Sequence, residues 1–385
     1  MFDTLAQGLR RARAHLKPRR LVKVLAGLVL IELLALPLFG CDPFNTGFED
    51  AEEAVLYEST RLTRVPEPIG QIVVMNWNAK FGGGRIDFWF DCYGDRVIMG
   101  RGEVIENLEG LAKKINQVKP DILLVQEIDT NSKRAAYIDQ VQWLLDHTEL
   151  NYGAYASQWK ADFIPTDGIG RMDSGNAIFS RWPISEGQRI ALPLSEEQDA
   201  LTRYFYLKRN ILSVATEVPG FGPVQVINVH TDAYGKDGTK RKHIDAFKAE
   251  LDRVAATGRL LVAGGDLNTV PDGTTKLNGF DDSICTDEDF VADDYAPEAG
   301  WLTPLYNDYA SAITLEDYQA DNERYYSHTV NKDGYWNRML DYLFTNGEFV
   351  KGSGMVHQDE SKGGMATMPL SDHAPLTVIL KLEAP

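Results

Sequence analysis

Several apolar runs in this chain end in residues that packing alone does not choose: VVMNWN ends at Asn78, ILLVQE at Glu127, VINVH at His230 and LLVAGGDLN at Asp266 and Asn268. LDYLF carries Asp341 near its start, and LSDHAPL sets Asp372 and His373 just ahead of another apolar strand. Strands buried on both faces have no packing reason to terminate in carboxylates and imidazoles, whereas α/β sheets build their ligand sites where strands end. Two histidines and four carboxylates could then converge on one site. Oxygen donors such as Glu127, Asp266, Asp372 and the amides of Asn78 and Asn268 suit Mg²⁺ or Mn²⁺, while zinc asks for more His or Cys. Phosphoryl transfer is the reaction that needs this mixture: a metal neutralises phosphate oxygens, one His handles a proton, and a second carboxylate orients that His. Taken singly, a Gln-Glu at a strand end or an Asp-His pair is more often structural; the joint occurrence carries the reading.

The elements that must position these residues are visible from residue 71 onward. Short apolar runs alternate with amphipathic stretches: QIVVMNW, a helix over 103–118, ILLVQ, a helix over 132–147, NAIFS, ILSVATEV, VQVINV, a helix over 239–256, RLLVAGG, LDYLFT and PLTVILKL. This alternation predicts an α/β protein with buried central strands. Lys119 and Pro120 end the first helix, and Gly258 closes the third. There is no internal repeat and no low-complexity sequence. GGGR at Gly82 to Arg85 lacks the GKS or GKT of a P-loop and reads as a loop after the first strand. Arg203, Lys208 and Arg209 could meet a phosphate, although cations on a strand are more often exposed or paired.

The N-terminus has its own chemistry. Residues 1–40 carry seven basic side chains against Asp3 and Glu32, a net +5; with −17 for the whole chain, the remainder carries −22. The apolar run from Leu21 to Gly40 precedes Cys41, and the basic-apolar-Cys layout is that of a bacterial export signal. LFGC resembles a lipobox, whose Cys is lipidated and becomes the new N-terminus; an uncleaved membrane anchor is the alternative, with Glu32 and Pro37 against it. Both place the body in the bacterial cell envelope, facing the periplasm or exterior, because the positive segment stays inside. The sequence thus divides into a leader or anchor over 1–40, a Pro-containing polar tether over 41–70 and one domain over 71–385. Cys92 and Cys285 remain to pair or to stay as thiols.

The order of the motifs, together with GNAIFSRWPI, resembles the endonuclease/exonuclease/phosphatase superfamily, the deoxyribonuclease I-like metal-dependent phosphoesterases. The resemblance runs over about residues 71–382 through NWN, VQE, NVH, GGDLN, RMLDYLF and SDH. It implies a four-layer α/β/β/α sandwich, with two mixed sheets face to face and helices outside. It also implies roles: Glu127 as principal metal ligand with Asn78 beside it and Asp372 in or behind the metal shell; Asp266 and Asn268 positioning the attacking water or holding a second metal and the phosphate. Asp341 would pair with His373, the general base or a stabiliser of the phosphorane, and His230 would bind phosphate or protonate the leaving oxygen.

Charge narrows the substrate. A body this acidic is repelled by a nucleic-acid backbone, and residues 277–323 hold 13 acidic residues with no Lys or Arg. Its DDSICTDEDF run does not match an EF-hand, so a solvated loop region is expected there. GYWNRMLDY stands where inositol 5-phosphatases carry PAWxDR, which disfavours that class. The sequence thus points to a phosphoester substrate that is a lipid headgroup or small phosphodiester, with an envelope nuclease as the alternative. A non-catalytic binding lipoprotein is the reading from another class, and the presence of Glu127, His230, Asp266 and His373 speaks against it.

Overall fold

Part of the stretch assigned to a tether is folded: β1 (Ala51–Glu53) and β2 (Val55–Glu58) lie in the main body of the computed structural model. Each is an edge strand with a single partner and mostly exposed side chains, so neither shows the apolar alternation from which strands are read. The structure describes residues 42–65, 67–68, 70–89, 94–280 and 294–382. The chain divides into two compact units, Met1–Gly47 and Phe48–Pro385. In the described part of the first, Asp42 closes a turn by accepting the Gly47 N–H at 2.6 Å. Residues 1–40, which hold the expected leader, Cys41, Cys92, Cys285 and residues 281–293 of the acidic stretch lie outside the described residues.

The second unit continues with β3 (Gln71–Asn78), α1 (Arg101–Val118), β4 (Ile122–Asp129), α2 (Gln140–His147), β5 (Tyr152–Ile164), β6 (Gly170–Ser180) and β7 (Ile184–Ala191). Then come α3 (Ala200–Phe205), β8 (Asn210–Val218), β9 (Gly222–His230), α4 (Thr239–Ala255) and β10 (Leu261–Asp266). The last are α5 (Thr303–Asp308), β11 (Ala310–Ser311), α6 (Leu315–Ala320), β12 (Asp341–Thr345), β13 (Met355–Val356) and β14 (Leu376–Lys381). Two mixed seven-stranded sheets result, ordered β1-β7-β8-β9-β10-β12-β11 and β13-β14-β3-β4-β6-β5-β2.

Strand periodicity explains the layers. In β4, Ile122 and Leu124 join a core shared with Val226, Val229 and Leu261 of the facing sheet and with Ile244, Phe247 and Leu251 of α4. Leu123 and Val125 point the other way, against Leu108, Leu111 and Ile115 of α1 and Val141 and Leu144 of α2. Because β4 is apolar on both faces, it reads as a continuous run, and the helices α1 and α2 cover one sheet while α4 covers the other. This is the α/β/β/α sandwich. Each Leu or Ile so buried contributes roughly 1.5–3 kcal/mol relative to exposure.

Two further corrections have local causes. The helix expected over 132–147 is broken: Ala136 and Tyr137 adopt left-handed φ values of 53° and 58°, and α2 starts only after Asp139, whose carboxylate accepts the Gln142 N–H at 3.0 Å. β5 and β7 were not expected, because YGAYASQWKADFI and ISEGQRIA mix small and polar residues without a clean period of two.

Candidate active site

The register of one sheet aligns three site residues in a row. Asp266, the last residue of β10, lies opposite His230 of parallel β9 and opposite Asp341 of antiparallel β12. The two glycines before Asp266 are required by close approach: a Cβ on Gly264 would stand 2.0 Å from the Tyr342 carbonyl oxygen, and one on Gly265 would stand 1.8 Å from that of Val229. The facing sheet supplies Asn78 at the end of β3 and Glu127 in β4. Pairing of β4 with β6 slips between Val125 and Ile128, and Glu127 sits in this bulge with φ 53°. A bulge re-aims a side chain, here into the site.

Six of the expected groups, Asn78, Glu127, His230, Asp266, Asp341 and His373, form one connected set. Asn78 donates its amide to Glu127 Oε1 at 3.2 Å and to Asp266 Oδ2 at 3.0 Å. His230 Nε2 lies 3.4 Å from Asp266 Oδ2 and 3.9 Å from Glu127 Oε1. His373 Nδ1 is 2.8 Å from Asp341 Oδ2, and its Nε2 is 3.5 Å from Asp266 Oδ2. The Asn268 N–H donates to Asp266 Oδ1 at 3.0 Å, but its side-chain amide turns to the Thr231 carbonyl at 3.3 Å. Asp372 faces Lys80, with Nζ to Oδ2 3.4 Å.

Burial and neighbouring charges together decide the charge states. It raises Glu127, and the nearby Asp372 carboxylate adds to the rise. Burial also pushes Asp266 up to about 6, with the His373 charge opposing and Asp341 adding. His230 falls well below the ordinary histidine value, first by burial and then by the positive charges of Arg209 and His373. For His373 burial acts against the charge, but Asp341, Asp266 and Asp372 outweigh it and lift the imidazole to about 10. Burial raises Asp372 too, yet Lys80, His373 and Arg85 leave it below the usual carboxylate value.

Several contributors were not singled out from sequence. Lys80 is one. Asn76 donates to Asp341 Oδ1 at 3.2 Å, and Ser327 donates to Asp341 Oδ2 at 2.7 Å. Behind Asn76, Gln126 donates to the amide oxygens of Asn76 and Asn228 at 2.7 and 2.6 Å, tying the two sheets together under the site. The signal was present, since Asn76, Gln126 and Asn228 are polar residues inside otherwise apolar strands. Arg209 stands just before β8, whose Ile211 pairs with Val229 beside His230. Its side chain has no hydrogen bond or ion pair among the described residues, and its Nε is buried without a partner. Arg203 and Lys208 donate to backbone carbonyls through Nη2 and Nζ, although the Nε of Arg203 is likewise buried without a partner.

The donor set fits a hard divalent cation, although no three His, Cys, Asp or Glu side chains among the described residues form a ready cage. Mg²⁺ is commonly held by one or two carboxylates with water and substrate phosphate rather than by an all-protein cage. Glu127 suits that role: its carboxylate receives one hydrogen bond, is about 29% exposed and is destabilised by a like charge. Asn78 turns its amide nitrogen, not its oxygen, toward the carboxylates, because Oδ1 accepts the Lys80 N–H at 3.0 Å.

Comparison with known proteins agrees with this geometry. Residues 75–373 match the Endonuclease/Exonuclease/phosphatase family. An endonuclease/exonuclease/phosphatase from Beutenbergia cavernae is similar in structure with a TM-score of 0.53 and 18% identity, over 82% of this chain and 73% of that one. One from Bacteroides vulgatus has a TM-score of 0.50 and 13% identity, over 81% and 99% of the two chains. TDP2 from Caenorhabditis elegans aligns with a TM-score of 0.45 and 17% identity, over 81% and 97%. No curated protein matches the sequence significantly. The likenesses to the Beutenbergia cavernae and Bacteroides vulgatus proteins show the fold, and the match in sequence, spanning every site residue from Asn78 to His373, shows the kinship: the chain belongs to the endonuclease/exonuclease/phosphatase family, whose members are typically hydrolases of phosphoester bonds.

Proposed function

We propose that this protein is a divalent-metal-dependent phosphoesterase that hydrolyses a phosphodiester or phosphomonoester with an activated water, held at a membrane of the bacterial envelope by its N-terminus. The row His230, Asp266, Asp341, closed by His373 and faced by Glu127, carries the reading. Asp266 is placed to take the proton of the attacking water, since a carboxylate near 6 is ionised at neutral pH yet basic enough to accept. His373, cationic and anchored by Asp341, steadies the charge that builds on phosphate oxygens. His230, kept neutral, binds through Nε2 rather than protonating the leaving oxygen. Arg209 brings an unspent positive charge to the same end of the sheet. Mg²⁺ or Mn²⁺ bound at Glu127, with Asp372 behind, would neutralise phosphate oxygens.

The substrate favoured by charge is a small phosphodiester or a lipid headgroup. The body's net −22 repels a long polyanion, although Glu298 in the acidic stretch is already paired with Lys240 beside Asn268. On purified protein with saturating Mg²⁺ at physiological salt, a model phosphodiester or phospholipid is expected to be cleaved with higher kcat/KM than duplex DNA. Added salt should help DNA cleavage, because screening relieves repulsion. Duplex DNA as the best substrate, cleaved less as salt rises, would put the envelope nuclease first. No hydrolysis across the panel would favour a binding lipoprotein that keeps the fold.

The envelope address rests on the N-terminal sequence. The mature protein is expected to begin at a lipidated Cys41 with residues 1–40 removed. Mass spectrometry that finds Met1 in the membrane-bound protein would replace the lipid by an uncleaved anchor.

A further inference from the structure

His373 has a second partner that the mechanism above leaves unused. His328, in the segment between α6 and β12, lies with Nδ1 3.0 Å from His373 Nε2, ring centroids 4.4 Å apart, and is 8% exposed. Its backbone is fixed on both sides: the N–H donates to the Arg338 carbonyl at 2.9 Å, and the carbonyl accepts the Asn337 N–H at 3.0 Å. An isolated β-bridge joins His328 to His373 itself. The preceding residue, Ser327, donates to Asp341. One short segment therefore holds both the carboxylate behind His373 and the nitrogen in front of it.

The proton pattern follows from these contacts. Carboxylates face both ring nitrogens of His373, Asp341 Oδ2 at 2.8 Å from Nδ1 and Asp266 Oδ2 at 3.5 Å from Nε2, and an acceptor on each side places a hydrogen on each nitrogen, the one that points into the site being on Nε2. At 3.0 Å the His328 Nδ1 must then be an acceptor, which puts the hydrogen of His328 on its own Nε2. The other acceptor within reach of His373 Nε2 is Asp266 Oδ2, at 3.5 Å. Burial beside His373, Arg338, Arg85 and Lys80 keeps His328 neutral and its Nδ1 lone pair free to accept.

We propose that His328 is a positioning residue for His373: its Nδ1 holds the Nε2–H of His373 aimed into the site at rest and yields it to a phosphate oxygen when substrate arrives. No bond beyond the hydrogen bond is exchanged. The proposal rests on the phosphoesterase reading for its catalytic consequence, but not for the hydrogen bond itself.

Two substitutions separate an acceptor from a space filler. Asn at 328 can place Oδ1 where Nδ1 stands, whereas Phe fills the site with no acceptor. With bis(p-nitrophenyl) phosphate and Mg²⁺, His328→Asn should keep kcat within about threefold, and His328→Phe should lower it by roughly 10–100-fold, the usual cost of losing an orienting partner, with KM little changed. Independently of turnover, ¹⁵N NMR of the full chain, with His373→Gln for assignment, should show a hydrogen-bonded Nε2–H on His373 in wild type and His328→Asn but not in His328→Phe. His328→Leu serves the same purpose if the Phe variant fails to fold. A Phe variant as active as wild type with Asn impaired, or an Nε2–H signal unchanged by Phe or Leu, overturns the proposal. Absence of turnover in wild type would instead count against the phosphoesterase reading, and the NMR comparison would still decide the role of His328.

Discussion

Glu127→Ala is expected to reduce metal-dependent phosphoester hydrolysis by on the order of 10³-fold or more, and chelator should do the same to the wild-type protein. A bound divalent cation is worth several kcal/mol of transition-state charge stabilisation, and each 1.36 kcal/mol is about tenfold in rate. The fold should survive. Asn78, Arg209 and Arg134 favour the Glu127 charge, but desolvation and Asp372 outweigh them at this partly exposed side chain, so its removal relieves a disfavoured charge. Its φ of 53° lies in the bulge and costs Ala no more than Glu. The thermal midpoint should therefore be unchanged or slightly higher, while Mg²⁺ or Mn²⁺ binding weakens. Full wild-type activity in chelator would sink the metal-dependent mechanism.

Asp341→Asn should cost roughly 10²–10⁴-fold in kcat, the range typical of a positioned proton-handling group. Its pH signature is more specific. His373 sits near 10 in the folded protein, so it stays cationic through neutral pH, and activity that needs this cation falls on the alkaline side as the imidazolium loses its proton. Asp341 favours the charged form, so the Asn variant should move that alkaline limb to lower pH. Stability follows the same sign: a histidine raised above its unfolded value of about 6.5 stabilises fully below that pH and loses its contribution as pH rises through about 10. The variant should thus lose stability most at neutral and acidic pH and least at strongly alkaline pH. A limb on the acidic side that shifts downward in Asp341→Asn would identify His373 as the base; a pH profile that does not move would count against the pair.

The site was legible because its residues interrupt strong patterns. Asn78, Glu127, His230 and Asp266 stand at or near the ends of apolar strands, and Asp341, Asp372 and His373 border two more. Lys80 and His328 were not legible. Lys80 lies in a single 3₁₀ turn after β3, and His328 lies in an irregular segment, where no periodicity marks a side chain as facing the site. Arg209 was weighed as a phosphate partner, yet only the structure distinguishes it from Arg203 and Lys208, whose Nη2 and Nζ donate to backbone carbonyls.

Sequence by itself determined the class of the fold, the strands that are buried on both faces, and the identity of the groups that could handle a phosphate. It did so because double-sided burial demands long apolar runs, and polar residues that break such runs need a separate reason to be there. Tertiary structure decided what no local pattern encodes. The edge strands β1 and β2 are held by pairing with β7 and β5 rather than by their own apolar faces. The alignment of His230, Asp266 and Asp341 is a matter of register between strands far apart in sequence. The charge states of Asp266, His230 and His373 arise only when burial raises the cost of charge and neighbours brought from both sheets oppose or repay it.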